Sequence, residues 1–166
     1  MYHGLPVLRL YAQESGTGAA AEAAAQQEAA RRAAGFSKVY LMLGINETGW
    51  AYSSIFQSKY GQLIDAIREI NPDATIYIQG IMPVSNTVSS THAYVKNSKI
   101  SEYNGLLKDL AAEKQVYYID TETAVAAADG SLPEDAAADG VHLIQAYCYQ
   151  WLDYLKTHTI TQPKER

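Results

Sequence analysis

The sequence predicts a three-layer α/β/α domain built around a parallel sheet. Three observations carry this reading. Short apolar runs alternate along the chain with longer stretches of helical periodicity. Two of the runs, Lys38–Leu43 (KVYLML) and Thr75–Gln79 (TIYIQ), are near-continuous, as in strands buried on both faces. The strand–helix order also repeats, which implies right-handed βαβ crossovers with helices on both faces of the sheet. With 166 residues, the chain suits one domain spanning 1–166.

Each element has its own local reason. Leu5–Ala12 is a short apolar run ending in the turn-forming ESGTG, and reads as a strand. Ala19–Ala34 consists almost entirely of strong helix formers, and Gly35 closes that helix at its C′ position. Lys38–Leu43 is the next strand. Ser58–Ile70 places Tyr60, Leu63, Ile64, Ile67 and Ile70 at helical spacing, and Asn71-Pro72-Asp73 stops it. After the strand Thr75–Gln79, residues Gly80–Thr91 read as a Ser/Thr/Asn-rich loop. Ser98–Glu113 is an amphipathic helix with Ile100, Tyr103, Leu106, Leu107 and Leu110 on one side. Val116–Ile119 is the last strand. Leu143–His158 is the final helix, with Ile144, Tyr147, Trp151, Leu152 and Leu155 as its apolar stripe.

Composition excludes several functions. Thirteen Lys and Arg against 18 Asp and Glu give a formal net charge of -5 and a pI near 5.3. No basic patch forms, which argues against a nucleic-acid partner. No apolar stretch approaches the ~20 residues of a membrane span. The Met1 end shows no basic segment followed by an apolar one, so no signal peptide is expected, and either cytoplasm or secretion is compatible. The lone Cys148 excludes an internal disulfide and reads as a packed core thiol within an aromatic helix. No His/Cys/Asp/Glu cluster has metal-ligand spacing, and no glycine-rich phosphate fingerprint occurs, so no cofactor is expected.

In parallel sheets functional groups gather at the carboxyl ends of the strands. Lys38–Leu43 runs directly into Gly44-Ile45-Asn46-Glu47, which puts a carboxamide at that rim. The Asn46 amide could donate to a developing oxyanion, or it could cap the following turn. Asp139-Gly140-Val141-His142, just before the final helix, spans a tight glycine turn. A carboxylate beside an imidazole orients the ring and stabilises its charged form, as general-base chemistry requires. Each pattern alone is weak. Together, in this order, they are stronger.

On these residues the chain resembles the SGNH hydrolases, also called GDSL-type esterases or lipases. VYLMLGINETGW is similar to their Gly-x-Asn-Asp block, with Glu47 in place of the usual Asp. DGVHLIQAYCYQWLDYL is similar to their Asp-x-x-His block and last helix, and IYIQGIMPVS resembles the strand and Pro-containing loop between the two. The resemblance covers Lys38 to about Ile160. It implies a flavodoxin-like fold and a serine esterase acting on short acyl or acetyl esters, carbohydrate esters included. In that enzyme His142 is the base, Asp139 its orienting acid and Asn46 an oxyanion-hole donor. The tyrosines, 13 in all, and Trp50 after the Gly-x-Asn block allow a sugar-facing wall, with packing as the duller role for Trp50.

The resemblance fails at the N-terminus, where no Gly-Asp-Ser occurs. Two alignments compete. In the preferred one, LPVLRLYAQESGTG is the family's second strand and block, Gly16 supplies a backbone oxyanion-hole N–H, and the first strand with its serine is missing. In the other, Ser15 is the nucleophile. A missing central strand leaves a slot that invites a second copy or the chain's own N-terminus. A non-catalytic ligand-binding relative of the same fold is the alternative function, and a flavin or nucleotide binder a weaker third. Among the remaining histidines, His3 is expected at the surface, His92 in an exposed loop where substrate walls form, and His158 at a helix C-terminus.

Overall fold

The structure, a computed structural model, describes residues 35–160. Three strands, β1 (Lys38–Leu41), β2 (Thr75–Gln79) and β3 (Tyr117–Ile119), form a parallel sheet in the order β1-β2-β3. Lys38 pairs with Thr75 and Leu41 with Ile78; Tyr77 pairs with Tyr117 and Gln79 with Ile119. The helices are α1 (Ser53–Ile70), α2 (Asn86–Thr91), α3 (Asn97–Lys114), α4 (Glu122–Val125) and α5 (Gln145–Thr157), with a 3₁₀ turn at Asn46–Gly49.

Side-chain alternation along the strands divides the molecule into layers. Val39, Leu41, Ile76 and Ile78 face α1 and α3 and build the main core with Tyr60, Ile64, Ile67, Ile100, Tyr103, Leu107 and Leu110. The opposite face carries Tyr40, Tyr77 and Tyr117, whose rings stack across the three strands at 4.9 and 5.3 Å between centroids. There α5 packs through Tyr147, Trp151 and Tyr154 against a second cluster around Val125, Leu132 and Ala136. The Trp151 indole N–H donates to the Gln79 side-chain oxygen at 3.0 Å, tying that helix to the sheet. The layers are those of an α/β/α fold.

Several expectations need correction. The first long helix begins at Ser53, five residues before the expected start, because its first turn turns only Phe56 inward and so shows no apolar stripe. The segment expected to be loop from Gly80 to Thr91 contains α2, whose N-terminus Ser85 caps by accepting from the Val88 N–H at 3.2 Å. The β1 run ends at Leu41. Its neighbours Met42 and Leu43 are exposed, and so is Tyr40, on a strand that lies at one of the sheet's two edges among the described residues. Strand β2 is the one buried on both faces. Ile144 and Leu152, placed in the apolar stripe of the last helix, face solvent, and Tyr154 replaces them against the core. Cys148 is only half-buried. Gly35 has a left-handed φ of +54°. The expected strand Leu5–Ala12, the Ala19–Ala34 helix and His3 lie outside the described residues. Among the described residues, no helix is long and apolar enough to cross a membrane.

Candidate active site

The segments that follow β1 and β2 build the rim of the sheet. After β1, the chain turns at Gly44, whose φ is +135°. A Cβ there would collide with the Ile81 side chain and meet the Phe56 ring at 3.1 Å, so only glycine lets this turn lie against the core. The 3₁₀ turn begins at Asn46. The Thr48 hydroxyl donates back to the Ile45 carbonyl at 2.8 Å, and the Tyr103 hydroxyl donates to the Glu47 carbonyl at 2.7 Å. Asn46 itself is exposed, and its amide makes no hydrogen bond among the described residues. The residue at the cap position is Ile45, without a side-chain cap. The capping role weighed for Asn46 is therefore not the one it plays, and its carboxamide is left free at the rim.

After β2, the chain passes from Gly80 to Ser85 without a strand neighbour. Its polar groups are met one by one. Gly80 donates to the Ile119 carbonyl at 2.9 Å and accepts from the Thr121 hydroxyl at 2.5 Å. Ser85 N–H donates to the Gly140 carbonyl at 2.9 Å. This bond docks the Asp139–His142 turn onto the post-β2 segment. Gly140 has a φ of +72°, and a Cβ on it would stand 2.5 Å from the Ser85 hydroxyl and 2.6 Å from a Val88 methyl. Glycine is required twice over, by conformation and by space.

Within that turn the carboxylate does three things. Asp139 Oδ1 accepts from the main-chain N–H of Val141 at 3.0 Å and of His142 at 2.8 Å. Its Oδ2 lies 2.6 Å from His142 Nδ1. The His142 main-chain N–H, followed by the imidazole and the Val141 N–H, holds the Asp139 carboxyl well below the usual carboxylate range. An ionised carboxylate only accepts, so Nδ1 carries the proton and Nε2 presents its lone pair outward. The imidazole is 85% exposed and Asp139 56% exposed, which leaves Nε2 open to a substrate. Because the folded pKa of Asp139 is depressed, the turn's stabilisation is complete above about pH 5. It fades as pH falls through the ordinary carboxylate value toward the folded one. A carbon-detected NMR titration of Asp139 is expected to show its midpoint well below the ordinary carboxylate range.

The structure thus brings Asp139 and His142 together and places Asn46 on the turn that leaves the carboxyl end of β1. No hydrogen bond joins Asn46 to the pair. The two turns meet through the post-β2 segment, which touches Gly44 at Ile81 and Gly140 at Ser85. Ser15 and Gly16 lie outside the described residues. His92 is exposed as expected, and its Nδ1 accepts from the Val95 N–H at 3.1 Å while its ring meets Tyr94 edge-on. Tyr94 packs over Gly49 and remains about half exposed, as does Trp50, so the packing role for Trp50 is not borne out. His158 sits at the α5 C-cap, stacked on Tyr154. Sequence reasoning missed Ser85, Asn97 and Asn104. Its only available signal was two asparagines seven residues apart in an otherwise apolar helix face. Among the described residues, no group of three or more His, Cys, Asp or Glu could hold a metal ion.

Comparisons with known proteins agree with this geometry. The profile of the GDSL-like lipase/acylhydrolase family matches residues 5–146. Among solved structures, a Streptococcus pneumonia protein assigned as a platelet activating factor superposes with a TM-score of 0.67 at 23% identity, covering 74% of this chain and 59% of its own. A peptidoglycan O-acetylesterase gives a TM-score of 0.62 at 20% identity, over 80% of this chain and 40% of its own. Axe2, an acetylxylan esterase from Geobacillus stearothermophilus, gives 0.57 at 17% identity, over 82% of this chain and 65% of its own. The chain therefore spans about two to three fifths of the first two structures' length. None of the curated proteins matches the sequence. These likenesses establish the flavodoxin-like SGNH fold, and the profile match over most of the 166 residues shows that the chain belongs to the GDSL-like lipase/acylhydrolase family.

Proposed function

We propose that this chain is a carboxylic ester hydrolase of serine type, acting on short acyl esters, acetyl groups on carbohydrates among them. The observation that carries the reading is the 2.6 Å Asp139–His142 contact, which fixes the tautomer and leaves Nε2 free. A serine hydroxyl attacks the ester carbonyl and passes its proton to His142 Nε2. Asp139 steadies the imidazolium that forms, while the Asn46 amide holds the oxyanion, with the Gly16 N–H beside it only in the alignment where the serine is not Ser15. Collapse expels the alcohol, which takes the proton back from His142. Water then repeats the sequence on the acyl-enzyme and releases the acid. The acetylesterases among the similar structures support acetyl esters as substrates.

The nucleophile is the open element. In this sequence Ser15 is its candidate, within Gln13-Glu14-Ser15-Gly16-Thr17. A fluorophosphonate probe followed by peptide mass mapping tests it directly. Modification of Ser15 that is blocked by prior Ser15→Ala substitution supports the assignment. The lack of any Gly-Asp-Ser favours a second reading, a ligand-binding relative without turnover. Absence of both labelling and nitrophenyl acetate hydrolysis would decide for that second reading.

A further inference from the structure

We propose that the polar groups on the core-facing side of α3, those of Asn97, Tyr103 and Asn104, form a positioning element that sets the spacing between the Asn46 turn and the Asp139–His142 turn. The post-β2 segment has left the sheet, and beyond Gly80 its main chain meets a neighbouring segment only at its far end, where the Leu132 N–H donates to the Val84 carbonyl at 3.1 Å and the Gly140 carbonyl accepts from Ser85. Two side-chain amides supply what a neighbouring strand would. Asn104, only 6% exposed, accepts from the Ile81 N–H at 2.7 Å and donates to the Ile81 carbonyl at 2.9 Å. Asn97 does the same for Val84, accepting at 2.8 Å and donating at 2.9 Å. A carboxamide is the side chain that can meet an N–H and a C=O of one residue together.

The spacing explains why the two fit. Seven helical residues rise about 10 Å and return to the same face. Three extended residues, from Ile81 to Val84, also span about 10 Å. Helix and segment are therefore in register, with each asparagine opposite one residue. From these two anchor points the geometry continues outward. The Ile81 side chain fills the space against Gly44, at the foot of the Asn46 turn, while Tyr103 holds the same turn through the Glu47 carbonyl at 2.7 Å. Val84 leads into Ser85, whose N–H holds the Gly140 carbonyl at 2.9 Å. One helix thus sets the positions of both turns. The Asp139–His142 pair itself is local and does not depend on α3.

The activity arm of the test rests on the esterase reading, and the spectroscopic arm does not. Asn97→Ala is expected to lower kcat for nitrophenyl acetate by between about tenfold and a hundredfold with KM little changed, the cost of a displacement of about 1 Å. It is also expected to weaken the nuclear Overhauser contact between the Gly140 α-protons and the Val88 methyls. The low Asp139 titration midpoint should stay in place. Tyr103→Phe, which removes one hydroxyl and keeps the ring, serves as the second variant should Asn97→Ala fail to fold. Its expected kcat loss is about tenfold, with altered shifts for the Asn46 side-chain amide. A folded Asn97→Ala or Tyr103→Phe protein with its kcat and those signals intact overturns the proposal. A parent chain without turnover would count against the esterase reading alone. The Overhauser contact and the Asn46 amide shifts would still decide whether α3 positions the two turns.

Discussion

Replacing His142 by alanine is expected to lower kcat for a short nitrophenyl ester by about 10⁴-fold while leaving KM within a few-fold of the parent. The imidazole is the only group on the described rim with a lone pair presented outward and a proton locked on its other nitrogen. Its removal deletes the proton acceptor for attack and the donor for departure of the alcohol. Stability should hardly change, because the ring is 85% exposed and packs against nothing that its loss would leave empty. Steady-state kinetics beside a thermal melt check both halves. A variant that keeps a tenth of the parent activity would remove His142 from the chemistry.

The second large effect is expected at Gly44→Ala. The backbone there sits at φ +135°, where side chains rarely go, and the new methyl would run into Ile81 and the Phe56 ring. Backbone strain of about 1–3 kcal/mol and overpacking of about 1–3 kcal/mol act together. The expected loss is roughly 2–6 kcal/mol, or a fall in Tm of roughly 4–24 °C for a chain of this size. Activity should drop more than stability implies, since the strain is relieved by moving the turn that carries Asn46. Chemical denaturation and kcat measured well below Tm separate the two contributions. A melting temperature within 2 °C of the parent would show that the turn accommodates the methyl and is not fixed as described.

Much of this architecture was legible in the residues, for identifiable reasons. Thr75–Gln79 is apolar and short because it pairs on both edges within a sheet covered by helices, and that burial writes itself into composition, whereas Lys38–Leu41 shares the pattern with only one face in the core. Asp139-Gly140-Val141-His142 was legible because its interactions are local. The carboxylate bonds residues two and three positions on, so the spacing in sequence is the geometry. What could not be read was non-local. The first turn of α1 shows one inward residue, Phe56, and so no periodicity. Helix α2 has no buried residue and is defined by its Ser85 cap, a signal easily taken for loop. Asn97 and Asn104 look like flaws in an amphipathic helix until the main chain of Val84 and Ile81, 13 and 23 residues away, is set beside them. A polar residue in a buried face is bonded to something, and only the fold says to what.

For ester hydrolysis as proposed, Asn46 and His142 must serve the same transition state, and a double-substitution cycle tests this most directly. Asn46→Ala alone should lower kcat for nitrophenyl acetate by about 10²–10³-fold, as expected for one oxyanion donor. His142→Ala should lower it by about 10⁴-fold. If both act on one tetrahedral intermediate, the double variant should be slower than His142→Ala, because the catalysis that survives loss of the base comes from the oxyanion hole and binding. A double variant as fast as His142→Ala, or an Asn46→Ala protein as fast as the parent, would contradict that shared role.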